Sequence, residues 1–307
     1  MSVFLPEGKL LSTEENQLYI NNTEKLYEAF AQQKILEAKV LLCDQYHNLH
    51  LNLGGMKAII PREEGALGIK EGTVRDIAVI SRVNRPVSFV ITNITIGDNG
   101  EEIAVLSRAK AQKICFDNYI DTLIPGDVVD ARVTRLEAFG VFADIGCGVI
   151  ALMPIDAISI SRIEHPKERF TAGMDIKAVI KSIDNGRISL SHKELLGTWI
   201  QNAENFSPGE TVTGIIRSVE NYGSFVELTP NLAGLAENHP NARKGMQASV
   251  YIKSIIPSKM KIKLIIIDTF SYSYNPEQPR YFTQESHIDR FIYSPENSTK
   301  TIDVSYL

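Results

Sequence analysis

Cysteine is scarce in this sequence, with three residues among 307. Cys43, Cys115 and Cys147 lie too far apart for a CxxC pair or a zinc-ligand spacing. With no secretory signal in the sequence, we expect free thiols and a reducing, cytoplasmic location. The longest apolar runs, such as 264–267, are too short to cross a bilayer, so no membrane segment is expected.

Motifs for catalysis or metal binding are also missing. The six histidines do not cluster with Cys, Asp or Glu at metal-ligand spacing, and the pair His47 and His50 has no third ligand within reach by sequence. No Walker loop, dinucleotide-binding glycine pattern or nucleophile elbow is present. The sequence therefore predicts a protein that is not an enzyme and needs no cofactor and no metal.

A basic excess is lacking as well, because the formal net charge is -5. This balance counts mildly against a nucleic-acid-binding protein, which usually carries a basic patch. The charge is unevenly distributed, however. Residues 206–267 contain seven Lys or Arg against four Glu, whereas the N-terminal segment 1–34 is acidic. The third repeat is therefore the most basic part of the chain.

Internal repetition is the strongest feature that the sequence does have. Residues 38–61 align without a gap with 131–154 at an offset of 93, and 137–142 align with 220–225 at an offset of 83. Further matches follow in the same order, including 80–86 with 160–166 and 181–183 with 253–255. Such ordered matches indicate three copies of one structural unit.

Each copy has the pattern of a small all-β domain. Residues 127–136 and 211–219 alternate apolar and polar side chains, which is the pattern of half-buried strands. The sequences Asp-Asn-Gly at 98–100 and 184–186 are typical of tight turns. Five short strands with a long connection between the third and fourth favour a five-stranded OB-fold barrel. We therefore predict three tandem barrels.

Segments outside the barrels complete the predicted organisation. We expect an N-terminal arm with an amphipathic helix at 23–33, capped by Asn22 or Thr23, and linkers that are partly helical at 109–123 and 192–201. The C-terminal tail is rich in Tyr, Ser and Pro, and its aromatic residues suggest that it docks on something. The predicted domains are an arm at 1–34, barrels at 35–112, 124–193 and 206–267, and a tail at 268–307.

Short motifs recur at fixed places in the second and third copies. The second copy has Pro-Gly-Asp-Val-Val at 125–129, Phe-Gly-Val-Phe at 139–142 and Gly-Arg-Ile-Ser-Leu-Ser at 186–191. The third has Pro-Gly-Glu-Thr-Val at 208–212 and Tyr-Gly-Ser-Phe at 222–225. These motifs resemble the S1 RNA-binding domain family. The divergent first copy, three barrels and a Tyr-rich tail together resemble the short Firmicutes form of bacterial small-subunit ribosomal proteins built from tandem S1 domains.

This resemblance implies where RNA would bind. In the family, two aromatic residues stack on bases and a basic residue of the last strand meets phosphate. The aromatic pairs are Phe139 with Phe142 and Tyr222 with Phe225, and the basic residues are Arg187 and Lys261. In the first copy Tyr46 aligns with the leading aromatic, but Leu49 replaces the second. A family histidine after the third strand is replaced by Pro61, Pro154 and Glu237.

Basic residues near these motifs are further candidates. Lysines alternate with apolar residues over 259–264, which places Lys259, Lys261 and Lys263 on one face of a strand, and Lys253 lies on the preceding strand. Arg162 and His165 lie in the long loop of the second barrel. All of these residues either contact RNA phosphates or are ordinary solvated charges, and Phe139 or Phe142 could instead fill the barrel.

The function expected from sequence is single-stranded RNA binding in translation. Flat aromatic rings beside cations suit single strands, because stacking tolerates any base. The expected partners are single-stranded RNA or mRNA and the small ribosomal subunit, and away from the ribosome we expect a monomer. Two alternatives stay open. One is a module that docks on the ribosome or another protein, and the other is an RNA-binding regulator of transcription or decay.

Overall fold

The structure is a computed structural model that describes residues 4–184 and 186–306. Asn185, the middle residue of one predicted tight turn, lies outside the described residues. The described chain forms two compact units. Residues up to 123 and residues 144–150 form the first unit, and residues 124–143 with those from 151 onward form the second.

The first unit combines four helices with one sheet. Helix α2 begins where the Asn22 side chain accepts a hydrogen bond from the backbone N–H of Lys25, and it ends at Gln33, whose φ of 52° is left-handed. It occupies the range predicted for the amphipathic helix, whereas α1 was not predicted. The helices are α1 (Glu14–Ile20), α2 (Thr23–Gln32), α3 (Ile77–Ile80) and α4 (Arg108–Asn118).

The sheet of this unit has the strand order β1-β5-β6-β4-β3-β2. The strands are β1 (Leu36–Lys39), β2 (Leu42–Cys43), β3 (Leu49–Leu53), β4 (Met56–Ile60), β5 (Pro86–Ile96) and β6 (Glu102–Ser107). The edge strands β1 and β2 are consecutive pieces of the chain. Between them the N–H of Val40 donates to Arg85, whereas the N–H of Leu41 donates to His50. One interrupted strand thus pairs with both of its neighbours.

The second repeat forms a closed five-stranded barrel with the order β10-β11-β9-β8-β7. Apolar and polar residues alternate along β7, so that Val129, Ala131 and Val133 point into the core. The strands are β7 (Val128–Glu137), β8 (Gly140–Asp144), β9 (Ile150–Pro154), β10 (Asp175–Asp184) and β11 (Arg187–Ser191). Helix α5 (Trp199–Ala203) follows this barrel, and the Thr198 side chain caps it.

The third repeat is a second closed barrel with the order β12-β13-β14-β16-β15. Its strands are β12 (Thr211–Glu220), β13 (Gly223–Thr229), β14 (Leu232–Ala236), β15 (Gln247–Ile256) and β16 (Lys261–Phe270). The first half of β12 pairs with β15 and its second half pairs with β13. This is the arrangement that the interrupted strand β1–β2 makes in the first unit. The predicted all-β fold of tandem OB-type barrels is confirmed.

The C-terminal tail packs within the second unit. Its strands β17 (Arg290–Ile292) and β18 (Asp303–Ser305) form an antiparallel pair. Phe291 and Tyr293 are buried in the same apolar cluster as Trp199 and Leu232. Earlier in the tail, the backbone N–H of Phe282 donates to Leu195. The aromatic residues of the tail therefore dock on this chain's own linker and third barrel.

Candidate nucleic-acid interface

A row of outward-facing residues crosses the third barrel at one level. Strand pairing places Ser218 beside Phe225, Phe225 beside Leu235, and Leu235 beside Lys263. On its other side Lys263 is the partner of Ser254. Phe225 and Leu235 are partly exposed, whereas Lys263 is exposed. An aromatic ring, an apolar platform and a cation thus lie in line on adjacent strands.

Tyr222 extends this row at the turn before β13. Its side chain is 67% exposed, and its ring lies edge-on to Phe225 with 6.3 Å between the centroids. The intervening Gly223 is needed because a Cβ atom there would lie 2.4 Å from the carbonyl oxygen of Ala236. The close approach of β14 therefore requires glycine at this position, which lies between the two aromatic residues in the sequence.

The predicted lysines occupy different positions around this row. Lys261 is exposed and lies two residues before Lys263, hence on the same side of β16. Lys253 lies where the pairing of β15 with β16 shifts, and its ammonium is 3.6 Å from the carboxylate of Glu237. Lys259 belongs to a 3-10 turn that precedes the strand. The prediction of three lysines on one strand is therefore wrong for Lys259.

An open cleft of about 760 Å³ adjoins Tyr222 and Phe225 within the second unit. One wall comes from β12–β14 and the other from the long loop of the second barrel, with Tyr274 of the tail also contributing. The charged residues that line it are Arg162, Glu164, Glu168, Arg217, Glu220 and Lys244. The structure therefore brings the predicted loop residue Arg162 to the same cleft as the aromatic pair of the third barrel.

Most charges in the cleft neutralise one another. Lys244 is 2.5 Å from Glu164, and Arg217 is paired with Glu168. Arg162 and Glu220, in contrast, are both exposed and form no ion pair within the described residues. One cation and one carboxylate are thus free to meet a ligand there.

A buried ion network supports the floor of the cleft. The guanidinium of Arg217 donates to both carboxylate oxygens of Glu227, at 2.7 and 2.9 Å, and Arg169 donates to the same carboxylate at 2.6 Å. Arg217 also donates to the hydroxyl of Tyr274 at 2.9 Å. Burial lowers the pKa of Arg169, although Glu227 opposes that shift. Arg169, which belongs to the long loop of the second barrel, is therefore a structural residue.

The second barrel carries the other aromatic pair. Phe139 is 57% exposed, and its ring is edge-on to Phe142 at a centroid distance of 5.9 Å. The guanidinium of Arg135 lies over the Phe142 ring, 4.7 Å from its centroid, and pairs with Glu137 at 3.0 Å. Phe142 therefore already has a cation stacked on it, whereas Phe139 is the more open ring.

The remaining candidates of this barrel lie on two different elements. Arg187 is exposed at the start of β11, opposite Asp184. His165 caps a 3-10 turn, because its Nδ1 accepts a hydrogen bond from the backbone N–H of Lys167. It is not among the residues that line the cleft. Of the two loop candidates, Arg162 therefore lines the cleft and His165 does not.

The first unit lacks an aromatic pair at this position. Tyr46 is 70% exposed, but Leu49 is buried in the core. Strand pairing shows that His50 is beside Leu42 and Ile59, as Phe225 is beside Ser218 and Leu235. The gap-free alignment of residues 38–61 with 131–154 is therefore wrong by one residue along β3. The turn before β3 is one residue longer than the turn before β13.

The longer turn is organised by Asp44. Its carboxylate accepts hydrogen bonds from the backbone N–H groups of Tyr46 and Asn48, at 2.8 and 2.9 Å, and contacts the His50 ring at 3.0 Å. The hydrogen bond from His50 is the main cause that lowers the pKa of Asp44. His50 is thus held by its own turn.

Several residues that border the aromatic pairs were not predicted from the sequence. Glu220, Ser218 and Lys244 line the cleft, and Arg135 covers Phe142. The 83-residue repeat contained a usable signal for two of these, because it aligns Arg135 with Ser218 and Glu137 with Glu220. No such signal existed for Tyr274, because the tail lies outside the repeat.

Within residues 4–184 and 186–306, no group of three or more His, Cys, Asp or Glu residues is arranged to hold a metal ion. None of the helices in that part of the chain is long and apolar enough to cross a membrane.

Residues 122–193 match the family model described as S1 RNA binding domain. Small ribosomal subunit protein bS1 of Staphylococcus aureus (strain MRSA252) is 32% identical over 200 residues, which cover 61% of this chain and 50% of that protein. The bS1 homolog of Bacillus subtilis (strain 168) is 39% identical over 135 residues, covering 43% of this chain and 35% of the homolog. The matched segment of this chain thus spans half or less of the length of these curated relatives.

Among solved structures, a multidomain protein with nucleic acid binding domains from Streptococcus pneumoniae aligns with 77% of this chain and 74% of its own. The identity is 13% and the TM-score is 0.25. This low score supports no argument about function.

Proposed function

We propose that this chain, which contains an S1 RNA binding domain at residues 122–193 and is homologous to bacterial small ribosomal subunit proteins bS1, binds single-stranded RNA on its second and third barrels. The observation that carries the proposal is the row formed by Phe225, Leu235 and Lys263 on three adjacent strands. Tyr222 lies at one end of that row.

The chemistry of this row suits a single strand. An unpaired base presents a flat face that stacks on an exposed aromatic ring, which contributes about 1–3 kcal/mol per base. A lysine on a neighbouring strand is well placed for the phosphate that follows the base, and this contact depends on salt rather than sequence. In the second barrel Phe139, Phe142 and Arg187 would act in the same way.

The setting is part of the same proposal. We place the protein in the cytoplasm, associated with the small ribosomal subunit and with mRNA, in a role that is not enzymatic. The names of the curated relatives support this setting. Away from the ribosome we propose a monomer.

The first unit favours a second function, docking on a protein. Where the third barrel has Phe225, the first has His50 bound to Asp44. The side chains of Leu41, Leu42 and Ile77 are exposed by half or more in the same unit. An exposed apolar group of this kind is typical of a protein-binding surface. A regulator of transcription or decay would use the same barrels without loading mRNA.

Fluorescence anisotropy with a labelled RNA of about 12 nucleotides tests RNA binding. We expect the double variant Tyr222→Ala, Phe225→Ala to weaken binding at least tenfold, since two stacking contacts are removed. Phe139→Ala, Phe142→Ala should weaken it less, because Arg135 already covers Phe142. Tyr251→Ala is the control, as this partly exposed tyrosine pairs with Thr211 and Ile265 away from the row.

Measurements at low and moderate salt complete the test. Binding that weakens with salt is expected, with a log–log slope of about -0.7 for each phosphate contact. If the folded wild-type chain fails to bind RNA at low salt, the RNA proposal is wrong and protein docking becomes the better account. Pull-down of small ribosomal subunits would then test that alternative.

A further inference from the structure

The cleft beside the third barrel offers more than a stacking platform. Glu220 ends β12 and is followed after one residue by Tyr222, so its carboxylate stands at the edge of the aromatic pair. Arg162 lines the cleft from the loop of the second barrel. Neither side chain is neutralised by another within the described part of the chain. A ligand that enters the cleft therefore meets an aromatic surface, a free carboxylate and a free cation.

The second barrel lacks this free carboxylate beside an accessible aromatic ring. There Glu137 occupies the position of Glu220, and Arg135 occupies the position of Ser218. Arg135 pairs with Glu137 at 3.0 Å and stacks on Phe142 at 4.7 Å. Because Ser218 is too short to do either, both the carboxylate of Glu220 and the ring of Phe225 stay accessible. The carboxylate and the aromatic ring are thus covered in the second barrel and accessible in the third.

We propose that the cleft of the third barrel binds an unstacked guanine base of single-stranded RNA. This inference rests on the proposed RNA binding and adds a base preference to it. The base stacks on one of the two perpendicular rings, Tyr222 or Phe225, and contacts the other with its edge. The carboxylate of Glu220 accepts hydrogen bonds from the N1–H and the 2-amino group of the base. Arg162 contacts a phosphate of the same or the next nucleotide.

Guanine follows from the chemistry of a carboxylate, which only accepts hydrogen bonds when ionised. The Watson–Crick edge of guanine presents two adjacent donors, N1–H and the 2-amino group, so that both carboxylate oxygens can be used. Adenine and cytosine each present one amino donor next to a ring nitrogen that accepts, and uracil presents one donor between two carbonyl groups. In those three bases an acceptor would face the carboxylate and repel it.

The size of the cleft is compatible with this ligand. Its volume of about 760 Å³ lies within the usual range for small-molecule sites of about 300–1,000 Å³. Bases of single strands are commonly splayed out, stacked on aromatic rings and read along the Watson–Crick edge by side chains. A nucleotide with its base in the cleft therefore fits both the space and the mode of recognition.

The test compares two RNA 12-mers of uridine that differ only in a central guanosine or adenosine. We expect wild type to bind the guanosine RNA at least about fivefold more tightly, the lower limit for a bidentate side-chain contact to a base. Glu220→Gln should reduce this ratio below about twofold, because the amide offers one acceptor and one donor. Glu137→Gln is the matched control from the second barrel and should keep the wild-type ratio.

Two further arms sharpen the result. Inosine lacks the 2-amino group, so an inosine RNA should bind between the guanosine and adenosine RNAs. Ser218→Arg copies the second barrel and should abolish the preference by pairing with Glu220. Equal affinity of wild type for guanosine and adenosine RNA, or a preference that survives Glu220→Gln, overturns the inference. If all-uridine RNA still binds through Tyr222 and Phe225 in that case, the proposed function stands; if no RNA binds, both fail.

Discussion

The second and third barrels share a fold, a motif and a strand register, yet they present different chemistry on the same row of positions. In the second, Arg135 and Glu137 neutralise each other beside Phe142, and Leu152 is next to the small Ser189. In the third, Ser218 leaves Glu220 unpaired, and Leu235 is next to Lys263. The third barrel is thus the more open and the more basic of the two.

This difference shows that the aromatic motif alone does not determine the chemistry of the surface around it. Phe142 and Phe225 occupy equivalent strands and have the same edge-on partner geometry. What separates them is one residue on the preceding strand, which either covers the ring or leaves it free. Neighbouring strands must therefore be compared before function is transferred from one repeat to another.

The contrast extends to a buried carboxylate at the equivalent position of β8 and β13. Asp144 of the second repeat belongs to the first unit, where the backbone N–H groups of Glu7 and Gly146 donate to it at 2.7 and 2.9 Å. Burial raises its pKa to about 7. Glu227 of the third repeat is held instead by Arg169 and Arg217. Backbone N–H groups thus donate hydrogen bonds to the carboxylate of Asp144, whereas two arginine side chains hold the carboxylate of Glu227.

The largest expected effect comes from removing the second of these carboxylates. Glu227→Ala leaves Arg169 and Arg217 buried without their main partner, and breaking a buried pair in this way costs about 3–5 kcal/mol. Urea unfolding followed by the fluorescence of Trp199, the single tryptophan, measures this loss in the second unit. The control is Glu237→Ala, whose exposed pair with Lys253 should contribute no more than about 0.5 kcal/mol. Equal losses in the two variants would contradict the role assigned to the network.

Acid should affect the two units in opposite directions. Burial raises the pKa of Glu37 in the first unit to about 7 and lowers the pKa of His192 in the second to about 4. Between pH 7 and 5 folded Glu37 binds more protons than the unfolded chain does, so the first unit gains stability on acidification. Folded His192 binds fewer protons than unfolded histidine, so this residue by itself lowers the stability of the second unit by on the order of 2 kcal/mol over the same interval.

Site-resolved hydrogen exchange at pH 7 and 5 measures whether the stability of the first unit rises and that of the second unit falls. Amides of β1 and β5 report the first unit, and amides of β10 and β15 report the second. His192→Gln should remove most of the acid sensitivity of the second unit, while His239→Gln, which is partly exposed, should leave it unchanged. A parallel loss of protection in both units at pH 5 would show that other groups dominate.

The sequence predicted the fold well where the repeat is regular. The strand predicted at 127–136 is observed at Val128–Glu137, and the one at 211–219 is observed at Thr211–Glu220. Alternation of apolar residues suffices there because one face of each strand is buried. It failed around β3, where the turn held by Asp44 adds one residue and moves Leu49 into the core. A local hydrogen-bond network of that kind leaves no periodic signal.

The candidate site was less accessible to sequence reasoning. Both aromatic pairs and the lysines of β16 follow from strand alternation and the family motif, and their role in RNA binding stays a prediction. The cleft itself could not be foreseen, because it joins Arg162, Glu220 and Tyr274, which are more than 50 residues apart in sequence. Only tertiary packing brings such residues together. The buried ion pair between Arg169 and Glu227 could not be predicted from the sequence for the same reason.

The smallest expected effect, and the most direct test of the barrel comparison, is an exchange at the position shared by Ser189 and Lys263. Strand pairing places both beside a leucine, Leu152 or Leu235. Lys263→Ser should weaken RNA binding about threefold and make the log–log salt slope shallower by about 0.7, because one phosphate contact is lost. Ser189→Lys should steepen the slope by the same amount, since it adds a cation to the row of the second barrel.

Anisotropy titrations at several salt concentrations measure both slopes, with Lys300→Ser, an exposed tail lysine, as the control for net charge. If Lys300→Ser changes the salt slope as much as Lys263→Ser does, the change comes from long-range attraction. Lys263 then makes no specific contact with a phosphate. If only Ser189→Lys fails to respond, RNA does not reach the row of the second barrel, and the third barrel binds RNA alone. A response from both exchanges means that RNA contacts the equivalent positions of both barrels, and the size of each change in slope then measures how much each position contributes.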